Sequence, residues 1–302
     1  MKERDWIDRY IRPLVRASGA DQLRDDVALL SSKALTVVTM DTLIEGRHFL
    51  SSDPLNTVGQ KLVRVNVSDI HAKGALPKEA LLSIAWPKDR DEAEFATLMS
   101  GIGEDITTYG IDLIGGDTVS TAGPLVLTLT LTGQCLSEAP VRRAGKVTEG
   151  AKLWLSGPVG GGVLGLNAAL NGGDEEDIRR YRCPDISNRD HAKRVSSKAL
   201  ASIDISDGLL LDTLALAETN GQGAHIDLDK VWFYRPSKTL DDTLEQVTGG
   251  DDYQIVIATR SDITFDPRYF RCFGHFTSQP GLALVLNGTP LPLPEKLGFE
   301  HE

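Results

Sequence analysis

Residues 199–216 read ALASIDISDGLLLDTLAL, an apolar run, a polar turn and a second apolar run. The first run predicts a short buried strand and the second predicts a helix, so Asp204, Ser206 and Asp207 lie where a strand ends and a helix begins. Two carboxylates this close repel each other, and a hard cation such as Mg²⁺ relieves the repulsion. Capping of the helix by Ser206 or Asp207 accounts for the same pattern equally well. Both interpretations stay open on this stretch alone.

The overall composition limits the classes of protein to which the chain can belong. Its 302 residues favour two domains, and a net charge of −11 argues against a nucleic-acid partner, because phosphate backbones require a basic surface. Three cysteines lie far apart, which fits neither a disulfide framework nor a zinc site and indicates a reducing compartment. No apolar stretch has the length of a membrane span, and residues 1–6 contain no apolar signal core. We therefore expect a cytoplasmic protein that binds neither nucleic acid nor membrane.

Other aspartates occupy positions similar to those of the central motif. Asp41 comes where a β-rich run ends, and Asp69 continues the apolar face of a predicted helix. Asp117 follows two glycines after residues 111–114, which predict a buried strand, and Asp26 precedes a short apolar run. Ligand sites in sheet proteins concentrate at the carboxyl ends of strands, so these side chains are candidates for one common site.

Three features stay open between a functional and a structural interpretation. Asp69 on a semi-buried face needs a partner, which is either a lysine such as Lys61 or a metal ion. The glycine-rich stretch 157–162 leads from a predicted strand into a helix, where its backbone either cradles a phosphate or allows close packing. His48, taken alone, is more often a hydrogen-bonded structural histidine than a ligand.

The chemistry of this polar set favours Mg²⁺ over Zn²⁺, because it is rich in aspartate and poor in histidine and cysteine. Glycine turns are predicted at 115–116, 160–162 and 249–250, and their backbone N–H groups suit anions. Clustered carboxylates and such turns are what metal-assisted phosphoryl transfer requires. The sequence contains no P-loop, no protein-kinase catalytic loop and no complete dinucleotide fingerprint, so a less common nucleotide site is expected.

Six short motifs, in order along nearly the whole chain, resemble those of the thiamine-monophosphate kinases. They are Asp25-Asp26, Met40-Asp41-Thr42 with Glu45-Gly46-x-His48-Phe49, Asn66-Val67-Ser68-Asp69, Gly115-Gly116-Asp117-Thr118, Asp204-Ile205-Ser206-Asp207-Gly208 and Gly249-Gly250-x-Asp252-Tyr253. The resemblance implies an α/β (α+β) chain with the two-domain fold of aminoimidazole-ribonucleotide synthetase, in which helices flank mixed sheets. Residues 1–142 would bind ATP and Mg²⁺ and pair in a homodimer, and residues 143–302 would form a C-terminal α/β domain that completes the active site.

The resemblance also implies the reaction of thiamine diphosphate biosynthesis in which ATP, as co-substrate, donates its γ-phosphate to thiamine phosphate in the presence of several Mg²⁺ ions. It assigns metal ligation to Asp26, Met40, Asp41, Asp69, Asp117, Asp204 and Asp207, ATP contacts to Tyr109, Gly116, Asp117, Arg143 and Ser206, and contacts with thiamine phosphate to His48, Asp251 and Phe299. The acceptor is already a phosphate oxyanion, so we expect neither a general base nor a nucleophilic residue.

The chain departs from the family pattern at several positions. Met40 stands where the family has a hydroxyl residue, and only its backbone carbonyl can bind a metal. Asp251 and Gln254 replace two glutamates, and the segment 71–74, His-Ala-Lys-Gly, replaces Ala-Ala-Met-Gly. Two alternatives remain: another ATP-dependent synthetase of the same superfamily, or a nucleotide sensor without catalytic activity. Selenophosphate synthetase is disfavoured because it needs a reactive residue near the N-terminus, whereas the first cysteine here is Cys135.

Overall fold

The computed structural model describes residues 24–25, 27–29 and 35–300, which form two mixed sheets with helices packed against them. The predicted α/β class is confirmed. Residues 1–23 and the predicted metal ligand Asp26 lie outside the described residues. The first sheet has the spatial order β1-β2-β5-β3-β4, and its strands are β1 (Ala28–Leu29), β2 (Thr36–Ile44), β3 (Ala75–Pro87), β4 (Asp112–Thr121) and β5 (Val126–Cys135).

Helix α1 (Leu55–Ala72) is the helix that joins the two halves of the chain. It begins after Pro54 and ends just before Gly74, whose φ of +66° favours glycine. Most of its residues are buried because it packs on the first sheet and also contacts elements of the second half. Polar side chains at its inner face therefore meet residues that are distant in the sequence. Helix α2 (Glu92–Tyr109) packs beside it and ends at Gly110.

The second sheet has the spatial order β12-β11-β8-β10-β6-β9-β7. Its strands are β6 (Lys152–Leu155), β7 (Ala201–Asp204), β8 (Gly223–Asp227), β9 (Ile255–Thr259), β10 (Arg271–Thr277), β11 (Gly281–Leu286) and β12 (Thr289–Leu291). The helices of this half are α3 (Gly161–Asn171), α4 (Glu175–Arg182), α5 (Arg189–Lys198), α6 (Leu209–Thr219) and α7 (Leu240–Thr248). The strand and helix predicted on either side of Asp204 and Asp207 are β7 and α6.

Strand β5 has the two-faced pattern that its alternating sequence predicts. Leu127, Leu129 and Leu131 are fully buried in the core of the first half, while the threonines between them are only partly covered. The apolar face is therefore used within the chain, and the threonine face belongs to the opposite surface of the sheet.

The prediction of a buried strand at 111–114, followed by a glycine turn at 115–116, is wrong for strand β4. It runs without interruption through Gly115 and Gly116 to Thr121, and its side chains are exposed along almost the whole length. The reason is its place at the edge of the first sheet, where β3 is its only partner among the described residues. Leu113, Ile114 and Val119 are 42%, 60% and 51% exposed, which leaves an apolar edge of the kind that proteins cover.

Two further predictions concern the whole chain. All three cysteines are free, as their spacing predicts. Over the described ranges, no helix combines the length and the apolar character that crossing a membrane requires.

Candidate active site

An open pocket of about 1190 Å³ is lined by residues from both halves of the chain. Pockets for one drug-sized ligand measure about 300–1,000 Å³, so this one has room for two small molecules side by side. Four of the aspartates predicted to bind metal share its wall: Asp41, Asp69, Asp204 and Asp207. Asp69 lies on α1, and Asp204 and Asp207 lie at the β7–α6 junction, as predicted. Asp41 was predicted at a strand end but lies within β2, which continues to Ile44.

Hydrogen bonds tie these carboxylates to neighbouring elements. The hydroxyl of Thr39 donates to Asp69, which is 9% exposed, and the hydroxyl of Ser68 donates to Asp204, which is 5% exposed, at 2.8 Å. Ser68 lies on α1, so this hydrogen bond connects the helix of the first half directly to the motif at 204–208 in the second half. The two carboxylates are thus held in place by neutral hydroxyl donors within a largely buried setting.

The start of α6 is organised by a residue that the sequence reasoning missed. Gly208 is the N-cap and offers no side chain, so capping by Ser206 or Asp207 is wrong. Instead the carboxylate of Asp212 accepts N–H groups from Asp207 and Gly208, both at 3.1 Å. Burial, and then the charges of Asp207 and Asp204, raise the pKa of Asp212 well above its ordinary value. An aspartate in the first helical turn was the available signal.

The predicted acceptor-side residues lie on the same pocket. His48, Asp251 and Phe299 all contribute to its wall. Nδ1 of His48 accepts the backbone N–H of Ile44 at 3.0 Å, which orients the ring. The backbone N–H of Phe299 donates to the carbonyl of Asp207 at 2.8 Å, so the C-terminal segment is attached to the carboxylate motif. Phe299 is 44% exposed, and the guanidinium of Arg47 lies 5.1 Å from the centre of its ring.

The backbone N–H groups of the glycine-rich stretch 157–162 donate to a side chain of the same protein. The carboxylate of Asp252 accepts the N–H groups of Gly160 at 2.7 Å and Gly162 at 3.1 Å. Burial raises the pKa of Asp252 to about 7 despite these hydrogen bonds. Between the two interpretations left open, the structure favours a packing role, because an internal carboxylate occupies the N-terminus of α3 where a phosphate would bind.

The residues predicted to contact ATP are divided in space. Ser206 lies on the pocket wall, whereas Tyr109, Gly116 and Arg143 do not. Tyr109 lies at the end of α2, where burial raises the pKa of its hydroxyl to about 12. Gly116 and its neighbour Asp117 lie on the exposed edge strand β4, also away from this pocket. The pocket of one chain therefore contains only part of the predicted nucleotide site.

The predicted metal ligands are also divided in space. Met40 and four aspartates line the pocket, whereas Asp117 does not. The side chain of Met40 lines the pocket and is 63% exposed. In the part of the chain that the structure describes, no three acidic, histidine or cysteine side chains are grouped closely enough to enclose an ion. Mg²⁺ is commonly bound by one or two carboxylates together with substrate phosphates, and such a site needs no enclosing cage.

Comparisons with known proteins place the chain in a family. Residues 24–135 match the family model described as AIR synthase related protein, N-terminal domain. A curated thiamine-monophosphate kinase of Caulobacter vibrioides is 35% identical over 324 residues, which cover 99% of this chain and 90% of the relative. The chain belongs to the thiamine-monophosphate kinase family. Membership in this family makes the chain a kinase, as its ordered motifs predicted.

Solved structures extend the match to the whole fold. AaThiL complexed with AMPPCP and TMP has a TM-score of 0.86 and 27% identity, covering 100% of this chain and 97% of that chain. The thiamine monophosphate kinase of Aquifex aeolicus has a TM-score of 0.81 and 25% identity, covering 96% of this chain and 99% of that chain. The fold predicted from the resemblance is confirmed.

Within this kinase, the departures from the family pattern have local structural explanations. Lys73 is completely buried, where it pairs with Asp25 at 3.0 Å and donates to the carbonyl of Ser202 at 2.9 Å. Gln254 is 4% exposed, and its amide donates to the carbonyl of Asp185 while its oxygen accepts the hydroxyl of Ser156. A neutral amide at this position satisfies buried partners without adding another charge near the pocket.

His71, another departure, should make this kinase sensitive to acid. Burial lowers the pKa of its imidazole from 6.5 to about 4, so below pH 6.5 the unfolded chain binds a proton that the folded chain does not. Stability is therefore unaffected above this range and falls as the pH drops towards 4. The expected loss at pH 5 is about 2 kcal/mol. We expect His71→Asn to lose correspondingly less stability between about pH 7.5 and 5 in urea unfolding.

His71→Ala is the matched control for this measurement. The ring accepts or donates a hydrogen bond with the carbonyl of Ser187 at 2.7 Å, and asparagine can keep a donor there whereas alanine cannot. The two variants should therefore differ in stability but share the same reduced dependence on pH. An unaltered dependence in both would contradict a buried neutral His71.

Proposed function

We propose that this kinase transfers the γ-phosphate of ATP directly to thiamine phosphate, giving thiamine diphosphate. The observation that carries the proposal is the pocket whose wall holds four aspartates together with His48, Asp251 and Phe299. Its volume of about 1190 Å³ suits two ligands placed side by side. The related AaThiL has been solved in complex with AMPPCP and TMP, which supports a site for a nucleotide beside a second ligand.

The donor set fits Mg²⁺, since it consists of carboxylate oxygens on a pocket wall. Asp41, Asp69, Asp204 and Asp207 would hold such ions together with phosphate oxygens, and the backbone carbonyl of Met40 would supplement them. Bound Mg²⁺ would supply the positive charge that lets two phosphate-bearing molecules approach one another. The half-buried Asp207 and the buried Asp204 would thus face the nucleotide from one strand end.

The chemistry of the acceptor determines which catalytic functions the protein must provide. A phosphate oxyanion has no proton to lose, so positioning and charge compensation are sufficient for attack on the γ-phosphorus. His48, Asp251 and Phe299 would bind thiamine phosphate, and the exposed ring of Phe299 would stack on a heteroaromatic ring. Ser206, next to the carboxylates in the central motif, would contact ATP.

We propose that the chain works as a homodimer formed through the first sheet. Its exposed surface carries Met40, Leu81 and Ile114, which are 63%, 47% and 60% exposed, and such a large apolar patch marks an interface. Edge strand β4 pairs only with β3, and within the described residues β1 pairs with β2 only at Val37 and Val38. Pairing of β4 with the partner's β2 around a two-fold axis would cover both edges and close a barrel.

This dimer accounts for two of the predicted ligands that are missing from the pocket of one chain, Gly116 and Asp117. Asp117 on β4 would lie beside the partner's Met40-Asp41-Thr42 segment, which runs along that pocket. Gly116 and Asp117 would thus contribute to ATP and metal binding in the partner's site. We further propose that residues 1–142 and 143–302 are separate domains and that the kinase acts in the cytoplasm.

The direct assay supplies ATP, Mg²⁺ and thiamine phosphate and measures thiamine diphosphate. We expect product to form, and ATP binding without turnover would instead identify a nucleotide sensor. We also expect no phosphoenzyme, because the aspartates are committed to metal and Ser206 has no histidine in its motif to activate it. Enzyme mixed with γ-labelled ATP and Mg²⁺ but no acceptor should carry no label after an acid or base quench. Label that chases into product at a competent rate would refute direct transfer.

A further inference from the structure

A buried lysine on α1, Lys61, contacts residues that line the pocket on its predicted acceptor side. The side chain of Lys61 is only 2% exposed, which makes it one of the largest fully buried side chains in the described chain. Burial of an ammonium group is costly unless paired and hydrogen-bonded. The sequence raised Lys61 as a partner of Asp69 on the same helix, but its contacts lie elsewhere.

The ammonium group of Lys61 contacts three segments that are remote in the sequence. Nζ donates to a carboxylate oxygen of Asp251 at 2.7 Å and to the backbone carbonyl of His48 at 3.0 Å. It also lies 4.3 Å from the centre of the Tyr181 ring, which is a favourable cation–π contact. All three partners line the pocket, and two of them, His48 and Asp251, are residues predicted to contact the acceptor.

Asp251 depends on such contacts for its orientation. Its φ is +66°, which is unusual for a residue other than glycine, and its backbone N–H donates to the carbonyl of Ser206 at 2.9 Å. One carboxylate oxygen receives Lys61, and the other receives the hydroxyl of Tyr253 at 2.8 Å. The side chain is still 32% exposed towards the pocket. Both carboxylate oxygens are therefore held by hydrogen bonds from within the protein, while part of the side chain stays accessible to a ligand in the pocket.

We propose that Lys61 is a positioning residue for the acceptor: it holds Asp251 and the His48 turn in place across the two halves and neutralises the Asp251 carboxylate. The inference rests on the proposed function, in which the acceptor carries a phosphate group. An unpaired carboxylate on that side of the pocket would repel the phosphate and would be free to turn away from the ligand. Lys61 removes both problems without touching the substrate itself.

The test compares steady-state constants of Lys61→Met with those of the unaltered kinase. We expect the KM for thiamine phosphate to rise at least about tenfold, because the partly exposed Asp251 carboxylate loses its counter-charge and one of the two donors that orient it. The KM for ATP should change by less than about twofold, because the contacts of Lys61 lie on the acceptor side. A purely structural role would move both constants together.

Arg182→Met is the matched control. Nε of Arg182 pairs at 2.7 Å with Asp53, whose side chain is 2% exposed, so this variant also breaks a largely buried ion pair between the two halves. Unlike Lys61, Arg182 does not pair with Asp251. Its variant should lower the melting temperature while leaving the acceptor KM within about twofold of the unaltered value.

Asp251→Asn and the double variant Lys61→Met/Asp251→Asn complete the cycle and keep the test decisive if Lys61→Met alone fails to fold. If Lys61 acts through Asp251, its loss should change the acceptor KM by less than about threefold in the Asp251→Asn background. If the acceptor KM of the double variant is instead about tenfold higher than that of Asp251→Asn, the two residues act independently and the proposal is overturned. An unchanged acceptor KM in folded Lys61→Met would also overturn it. An unaltered protein that makes no thiamine diphosphate would refute the function and the inference together.

Discussion

Asp207→Asn should abolish phosphate transfer while leaving the metal-free protein as stable as the unaltered chain or slightly more so. Asp207 lines the pocket at the start of α6, and its charge together with that of Asp204 raises the pKa of the buried Asp212. Removing one negative charge relieves this repulsion, so unfolding in the presence of a chelator should cost the same or up to about 1 kcal/mol more. Loss of a metal ligand should lower kcat about 1,000-fold, equivalent to several kcal/mol of transition-state stabilisation.

Asp241→Asn provides a control with the same chemical change. Asp241 is exposed in the first turn of α7 and does not line the pocket, so its variant should keep full activity. Urea unfolding in chelator and product formation with saturating Mg²⁺ are the two measurements. Near-full activity of Asp207→Asn, or its unfolding at room temperature, would contradict metal ligation at this position.

The second large effect is complementation between two inactive variants. If Asp117 acts in the partner's pocket, Asp117→Asn and Asp207→Asn should each be inactive as homodimers. A heterodimer of the two contains one intact site, because the Asp117→Asn chain keeps its own Asp207 and receives the partner's Asp117. Co-expression with two different tags and purification by both should therefore yield about half of the normal activity per dimer.

A second heterodimer distinguishes this arrangement from a site built within one chain. It pairs the unaltered chain with the double variant Asp117→Asn/Asp207→Asn. If Asp117 acts across the interface, both sites lose a ligand and the heterodimer should be inactive. If Asp117 acts within its own chain, the unaltered chain keeps one complete site and about half of the activity remains. Activity in this heterodimer and none in the first would refute the shared site.

Sequence patterns were most informative where structure follows from local periodicity. The boundaries of α1 and α2 follow from Pro54, Gly74 and Gly110, and the alternating leucines of β5 identify its buried face. Strand ends and an apolar helix face also predicted that Asp41, Asp69, Asp204 and Asp207 belong together, since such positions converge at one edge. The ordered motifs indicated the family from residue types and their order alone.

Local patterns failed where the environment of a residue comes from distant segments. An apolar run predicts a strand but not whether neighbours cover it, so β4 was taken as buried although it lies at a sheet edge. Glycines at 160–162 suit an anion whether it is a phosphate or, as found, the carboxylate of Asp252, which lies 92 residues from Gly160. The N-cap of α6 was likewise decided by Asp212 and not by the expected side chains.

By itself, the sequence determined the elements, the family and the main carboxylate set, because these depend on residue types and their spacing along the chain. Only the tertiary structure decided which charges meet. Lys61 pairs with Asp251 across 190 residues, and not with Asp69 on its own helix, because the packing of α1 between the two halves directs its side chain there. Periodicity carries no record of such long-range pairing, since a contact of this kind exists only once both halves have folded against the same helix.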